Sequence, residues 1–233
     1  MTILGIDTST RSGSIAVIRA GQVLGSMQVA GRLDHSEQVL SSISHLLSRL
    51  EVTRGDLDAV AVSLGPGSFT GVRVGLASAG GLARALDIPA LGLSSLEALA
   101  RSVSGRRRGS WICPWLEAGR GEVYAAAYLD PGEAGGLLLL RGPSLARPGA
   151  WLEGLPATPM RFLGDGAPAY REMLLQHRGP GCLEQPEGPW FLAPTLAVWA
   201  EHQLQSPAPD GWPVLEPLYL RPSDAELGRW KKG

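Results

Sequence analysis

The residues best suited to chemistry stand near the start of the chain, where Asp7 is followed by three hydroxyls, Thr8, Ser9 and Thr10. A carboxylate for a hard divalent cation beside hydroxyls for phosphate oxygens is the donor set that nucleotide chemistry uses. The same four residues also make a sound Asx-type turn that needs no ligand. A second stretch, GPGSFTG at 65–71, raises the phosphate question again and fails two familiar spacings. A P-loop closes on Lys-Ser/Thr, whereas Gly71 is followed by Val72 and Arg73. A dinucleotide loop requires a third glycine where Thr70 stands. What remains is a strand-to-helix turn with Ser68 as its cap, whose free amides could still meet an anion. GDGA at 164–167 reads as a simple turn.

The other reactive side chains form no complete set. His35, His45, His177 and His202 belong to no HEXXH or HXXXH pattern, and ten residues of helix put His35 and His45 on different faces. Cys113 and Cys182 share no metal-ligand spacing and read as buried reduced thiols. No serine lies in a GXSXG elbow. Arg106, Arg107 and Arg108, with Trp111 nearby, make an unbroken basic cluster; it suits a solvated hinge or, alternatively, RNA phosphates. The formal net charge of −1 gives no global pull toward nucleic acid or an anionic membrane. No apolar run approaches the ~20 residues of a membrane helix. The start, MTILGIDTST, lacks a basic segment leading into an apolar one, so a cytoplasmic protein away from membranes is expected.

The elements that would position these residues can be read from periodicity. Ile3–Asp7, Ser14–Arg19 and Val23–Val29, the last two flanking an Ala20–Gly21 turn, predict a three-stranded antiparallel meander. Val39, Ile43, Leu46 and Leu50 recur at helical spacing over 35–50, with Asp34 or Ser36 as cap. Ala59–Leu64 reads as a buried strand, 71–86 as a helix, Pro89–Leu93 as a strand and SSLEALARSV as a helix. Three strands, helix, strand, helix, strand, helix is the order of a ribonuclease-H-like half. SGRRRGS at 104–110 reads as a flexible junction. A weaker repeat follows, with strands near 111–116, 122–129, 137–141 and 160–164 and a helix at 168–177. A last helix at 192–205 precedes a Pro-rich tail. The expected organisation is a first lobe at 1–104, completed by that last helix and tail, and a smaller second lobe at 110–190.

The helix at 71–86 carries Gly71, Gly75, Gly80 and Gly81, which forgo on the order of 3 kcal/mol of helix propensity. Close approach of another backbone is the physical use of such residues. A helix this apolar all round must be covered on more than one side, either by helices of this chain or by another protein. On the second alternative, the 35–50 and 71–86 helices form a paired platform on which a second chain makes a bundle. Its contact residues would be His35, Val39, Ile43, Val72, Gly75, Leu76, Ala79 and Ala83, and Leu76→Glu or Ala79→Arg should then abolish partner binding and leave a folded monomer.

The segments ILGIDTST, DHSEQVL, DLDAVAVSLGPGSFTGVRVGLASAGGLARAL, IPALGLSSLEALA, GEVYAAAY and PLYLRPSDAE together resemble the TsaB family, formerly YeaZ, of bacterial threonylcarbamoyladenosine biosynthesis factors. The resemblance is dense over 1–130 and thin after that until the C-terminal motif. It implies an ASKHA (actin-like ATPase) fold of two ribonuclease-H-like lobes with mixed sheets and flanking helices. It also implies a noncatalytic scaffold that docks on a TsaD-like enzyme through the first-lobe helices, with a TsaE-like ATPase joining. Threonylcarbamoyl transfer would fall on the tRNA adenosine beside the anticodon, tRNA being met through the complex, and the isolated protein would form a homodimer by the same surface. No cofactor or metal is then required, and Asp7, Thr8, Ser9 and Thr10 become a degenerate nucleotide site that could retain ATP or ADP. One departure stands out: the family pattern LDARXGEVY reads LEAGRGEVY here, with Glu117 where an aspartate is usual. The rival expectations are an actin-fold small-molecule kinase using Asp7, or a TsaD-like metalloenzyme.

Overall fold

The computed structural model describes residues 1–11, 13–29, 36–105, 107, 109–132, 136–184, 189–205 and 215–221. Its elements are β1 (Thr2–Asp7), β2 (Ser14–Arg19), β3 (Gln22–Gln28), α1 (Ser36–Arg49), β4 (Ala59–Ser63), α2 (Phe69–Leu86), β5 (Ala90–Leu93), α3 (Ser95–Arg101), β6 (Trp111–Gly119), β7 (Glu122–Leu129), β8 (Leu138–Ala146), α4 (Pro148–Leu152), β9 (Met160–Leu163), α5 (Arg171–Arg178) and α6 (Ala193–Leu204). They build two mixed sheets, ordered β3-β2-β1-β4-β5 and β8-β7-β6-β9. In the first, β1–β2 and β2–β3 are antiparallel while β1–β4 and β4–β5 are parallel. In the second, β6–β7 and β7–β8 are antiparallel and β6–β9 is parallel. The β2–β3 turn is tight because Ala20 and Gly21 both take positive φ, 49° and 75°, which matches the twist of the strands they join.

Strands β1 and β4 are buried on both faces, which is why they read as nearly unbroken apolar runs. Leu4 and Ile6 point to one face of the first sheet and join Val60 and Val62 against Val39, Ile43, Leu46 and Leu47 of α1 and Ala79 and Ala83 of α2. Ile3 and Ala61 point to the other, where α6 (Leu196, Ala197, Ala200) and α3 (Leu96, Leu99) lie. Helix α3 also packs on β6 and β7, where Ile112, Tyr124 and Tyr128 join the same core, so α3, with α6 packed against it, links the two sheets. A Cβ at Gly5 would stand 2.1 Å from the carbonyl oxygen of Ala193, so only glycine lets α6 begin on β1.

The junction after α3 is fastened where a flexible hinge was expected. Gly105 N donates to Asp130 Oδ2 at 2.7 Å, and Gly109 N donates to the Asp130 carbonyl at 2.7 Å. Buried Arg161 of β9 donates to Ser110 Oγ at 3.1 Å and to the Val103 carbonyl at 3.3 Å. It also lies 3.7 Å from the Asp130 carboxylate. A buried arginine must be paired, and here its partners come from both ends of the junction. Arg106 and Arg108, and the expected cap Asp34, lie outside the described residues.

Candidate functional site

Asp7 ends β1, and its neighbours turn back over it. Its Oδ1 accepts from Ser9 N at 3.0 Å and Ser9 Oγ at 2.6 Å, and its Oδ2 accepts from Thr10 Oγ1 at 2.9 Å. Ser9 Oγ in turn lies 3.0 Å from Ser63 Oγ at the end of β4 and accepts from Ser95 Oγ, at the start of α3, at 2.9 Å. Ser63 and Ser95 are 2.7 Å apart. The result is a closed ring of hydroxyls over a carboxylate. Burial pushes the Asp7 carboxyl up, against the lowering pull of the Ser9, Thr10 and Ser63 hydrogen bonds.

The glycine-rich turn presses on this ring from outside. Thr8 Oγ1 donates to the Gly71 carbonyl at 2.6 Å, and Ser68 N donates to the Ser9 carbonyl at 2.8 Å. A Cβ at Gly67 would be 2.1 Å from Ser9 O, one at Gly71 2.0 Å from Thr8 O, and one at Gly75 2.3 Å from Thr8 Oγ1. Ser68 caps α2 as the sequence predicts, accepting from Gly71 N at 3.2 Å. The actin-like fold implies magnesium and a nucleotide at such a turn. The residues do not fit them in this arrangement: Asp7 has no solvent exposure, and both its oxygens are already engaged.

Facing Asp7 across the two sheets is GDGA, which is a turn held to β6 by Gly166 N donating to the Trp115 carbonyl at 3.1 Å. Asp165 Oδ1 accepts from Glu117 N at 2.9 Å, and the Glu117 carboxylate pairs with Arg11 at 2.9 Å. Partial desolvation pushes the Asp165 carboxyl up, the Glu117 amide and Arg11 oppose it, and the charges of Glu117 and Asp7 add to the rise. Glu117 thus serves a contact between the first-sheet turn and the second sheet.

Residues 215–221 cross from one side of this junction to the other. Leu218 N donates to the Leu64 carbonyl at 2.8 Å. Tyr219 stacks on Phe69 with ring centres 4.9 Å apart, and its hydroxyl accepts from Arg73 Nε at 2.8 Å. Arg221 then donates to the Ala118 carbonyl at 2.6 Å and pairs with Glu122 at the β6–β7 turn. Residues 215–221 are therefore a strap tied at α2 and at the second sheet.

The expected contact residues of the helical platform are placed differently. Val39, Ile43, Val72, Gly75, Ala79 and Ala83 are buried within this chain, and Leu76 is half-buried; His35 lies outside the described residues. The correction has a simple cause: these positions form the sides of α1 and α2 that lie on the first sheet, so the apolar periodicity marks the chain's own core. The outward side of α2 presents Arg73, Ala77, Gly81, Arg84 and Ala85, with Gly80 half-exposed. Among the described residues, neither Gly80 nor Gly81 has a neighbouring atom within 4 Å of the place a Cβ would occupy. On α1, Leu40 is 46% exposed. A signal for this division was present: Gly67, Gly71 and Gly75 recur every four residues and lead into Ala79 and Ala83, while Gly81 falls on a separate row with Ala77 and Ala85.

His45, His177 and His202 all lie at exposed positions, on α1, α5 and α6, and among the described residues no three His, Cys, Asp or Glu side chains form a metal cluster. Cys113 and Cys182 are both buried free thiols, and burial pushes both up. No helix of the described residues is long and apolar enough to cross a membrane.

A family model described as TsaD, tRNA N6-adenosine threonylcarbamoyltransferase, matches residues 28–158. The chain is 36% identical over 177 residues to the Bacillus subtilis (strain 168) tRNA threonylcarbamoyladenosine biosynthesis protein TsaB, an alignment spanning 75% of each chain. The solved structure of YeaZ from Pseudomonas aeruginosa superposes with a TM-score of 0.72 at 26% identity, covering 94% of this chain and 99% of that one. Component A of the Acidaminococcus fermentans (R)-2-hydroxyglutaryl-CoA dehydratase matches with a TM-score of 0.54 at 12% identity, over 88% of this chain and 100% of that one. That last likeness is of fold alone, the actin-like arrangement with mixed sheets and flanking helices that the sequence led us to expect.

Proposed function

The chain belongs to the TsaB (YeaZ) family, and from that premise we propose that it is a noncatalytic, activating subunit in tRNA threonylcarbamoyladenosine biosynthesis. It holds a TsaD-type enzyme against the outward surface of α1 and α2, and a TsaE-type ATPase joins the assembly. The TsaD-type subunit carries out threonylcarbamoyl transfer to the tRNA adenosine beside the anticodon, and tRNA reaches this chain through the complex. Alone, the chain pairs with a second copy through the same surface, in the cytoplasm.

The observation that carries this reading is the open row Ala77–Gly81–Ala85 with Gly80 beside it. Each interior glycine costs about 1 kcal/mol of helix propensity relative to alanine, and nothing among the described residues presses on Gly80 or Gly81. Small side chains on an exposed helix allow a foreign helix to come close, which gives the two glycines a use. The noncatalytic reading is supported by the enclosure of Asp7, whose oxygens have no path to a substrate while Ser9 and Thr10 hold them. We take nucleotide as not required on the same ground.

The test is co-purification of the chain with the TsaD- and TsaE-type proteins of the same organism, followed by a threonylcarbamoylation assay omitting each component in turn. Gly81→Arg should remain folded, lose the TsaD-type protein and lose stimulation of the transfer. Retention of the partner by that variant sinks the surface assignment. ATP binding with magnesium-dependent hydrolysis by the isolated chain would restore the kinase reading.

A further inference from the structure

Away from both regions, a pocket of about 340 Å³ opens between the junction after α3, helix α5 and the segment that follows it, lined by Arg107, Arg171, Leu175, Gly181, Leu183 and Glu184. Its floor is held in place. Phe162 N donates to the Cys182 carbonyl at 2.7 Å and Glu184 N donates to the Phe162 carbonyl at 2.8 Å, so 182–184 runs beside β9 like a further strand. Arg171 opens α5, and Leu175 stands one turn later on the same side. Arg107 comes from the junction that Asp130 and Arg161 fasten.

The charges are arranged unequally. The one acidic lining group, Glu184, lies 3.5 Å from the buried guanidinium of Arg161, which offsets its charge from behind. Among the described residues, neither Arg107 nor Arg171 makes an ion pair. Both are exposed. Two guanidinium forks on an open rim suit a phosphate, which accepts planar pairs of N–H donors. The chain as a whole is nearly neutral, so any polynucleotide contact must come from a local patch of this kind.

We propose that this pocket binds a phosphate of an RNA backbone, with Arg107 and Arg171 as its two clamps. The assignment of RNA as the phosphate source rests on the tRNA reading above. The pocket lies outside the set of residues given to the TsaD-type partner, so it adds a direct contact between this chain and RNA.

Fluorescence anisotropy of the full chain with a labelled RNA anticodon-type hairpin, repeated across a salt series, tests it. The double variant R107E/R171E should bind the hairpin roughly tenfold more weakly or worse, with a log–log salt slope shallower by about one to two. R107K/R171K, which keeps the charge and loses the paired N–H donors, should bind between the native chain and R107E/R171E, and circular dichroism should report the same fold for both. Inorganic phosphate supplies a second arm, read as arginine Nε–H shifts by NMR. Equal RNA affinity and equal slope in R107E/R171E, or no RNA binding by the native chain, overturns the proposal. So does a response to inorganic phosphate without arginine-dependent RNA binding. Co-purification of R107E/R171E with the TsaD-type protein reports separately on the docking surface.

Discussion

In the turn before α2 and its first half, Gly67, Gly71 and Gly75 lie against the chain's own β1–β2 turn, where an added Cβ would come within 2.0 to 2.3 Å of Ser9 or Thr8. In the second half, a Cβ added at Gly80 or Gly81 would meet no neighbouring atom of the described residues within 4 Å. One residue type thus answers two different demands within fifteen positions. The first set lets a helix seat on a buried polar turn, and its removal should be felt as lost stability. The second leaves a smooth outer row, and its removal should be felt only when a partner arrives. Glycine content alone does not separate the two; the neighbour each missing side chain would meet does.

Four substitutions would break or sharpen that contrast. The largest effect is expected of Ala79→Arg, which drives a guanidinium into the fully buried cluster of Leu4, Ile6, Val60 and Val62. An unpaired buried charge costs several kcal/mol, so no folded protein should be recovered by circular dichroism or gel filtration. A folded Ala79→Arg would show that the inner side of α2 is not core. Next comes Gly71→Ala, whose Cβ meets a backbone carbonyl rather than a yielding side chain. Urea denaturation should show a loss of roughly 2 kcal/mol or more; an unchanged midpoint would refute the close approach.

Gly81→Ala should act in the opposite direction. With open space around it and an ordinary helical backbone, alanine should raise stability by up to about 1 kcal/mol, seen as a higher urea midpoint. A decrease would mean that some part of this chain does contact the row. The smallest effect concerns Asp7 and is best read as a difference. Burial raises its folded-state pKa, so between the ordinary carboxylate value and that raised value the folded chain holds a proton the unfolded chain has released. The stability this group contributes therefore falls as pH rises through that window, and the penalty of the buried anion persists above it. Asp7→Asn keeps an acceptor for Ser9 and removes the titration. Native stability should accordingly decline relative to the variant as pH rises from about 4, then run parallel to it; parallel curves throughout would mean that Asp7 does not titrate in this range.

Local pattern carried far in this chain. The alternation and turn chemistry of residues 1–29 predicted the three-stranded meander, and Ala20–Gly21 predicted its tight turn, because a hairpin's register is set by neighbours in sequence. Ser68 announced the start of α2 for the same reason. Other features were misjudged or missed. The junction at 104–110 looked loose because its fastenings, Asp130 and Arg161, stand 25 and 51 residues from the groups they hold. Helix α4 is five residues long and offers too few turns for a period to show. The strap at 215–221 looked like a Pro-rich tail, since its anchors Leu64, Phe69, Arg73 and Glu122 are remote in sequence.

The order of residues by itself determined most of the elements, because strands, caps and tight turns depend on interactions within a few positions, and its motifs carried the resemblance that implied the family and its mixed sheets. Which side of each helix faces inward was decided only by the folded chain. An apolar stripe states that something must cover it without saying what, and the answer waited on where the first sheet came to lie. The enclosure of Asp7 was decided in the same way, since Ser63, Ser95 and the glycine turn reach it only once β1, β4 and α3 have been brought together.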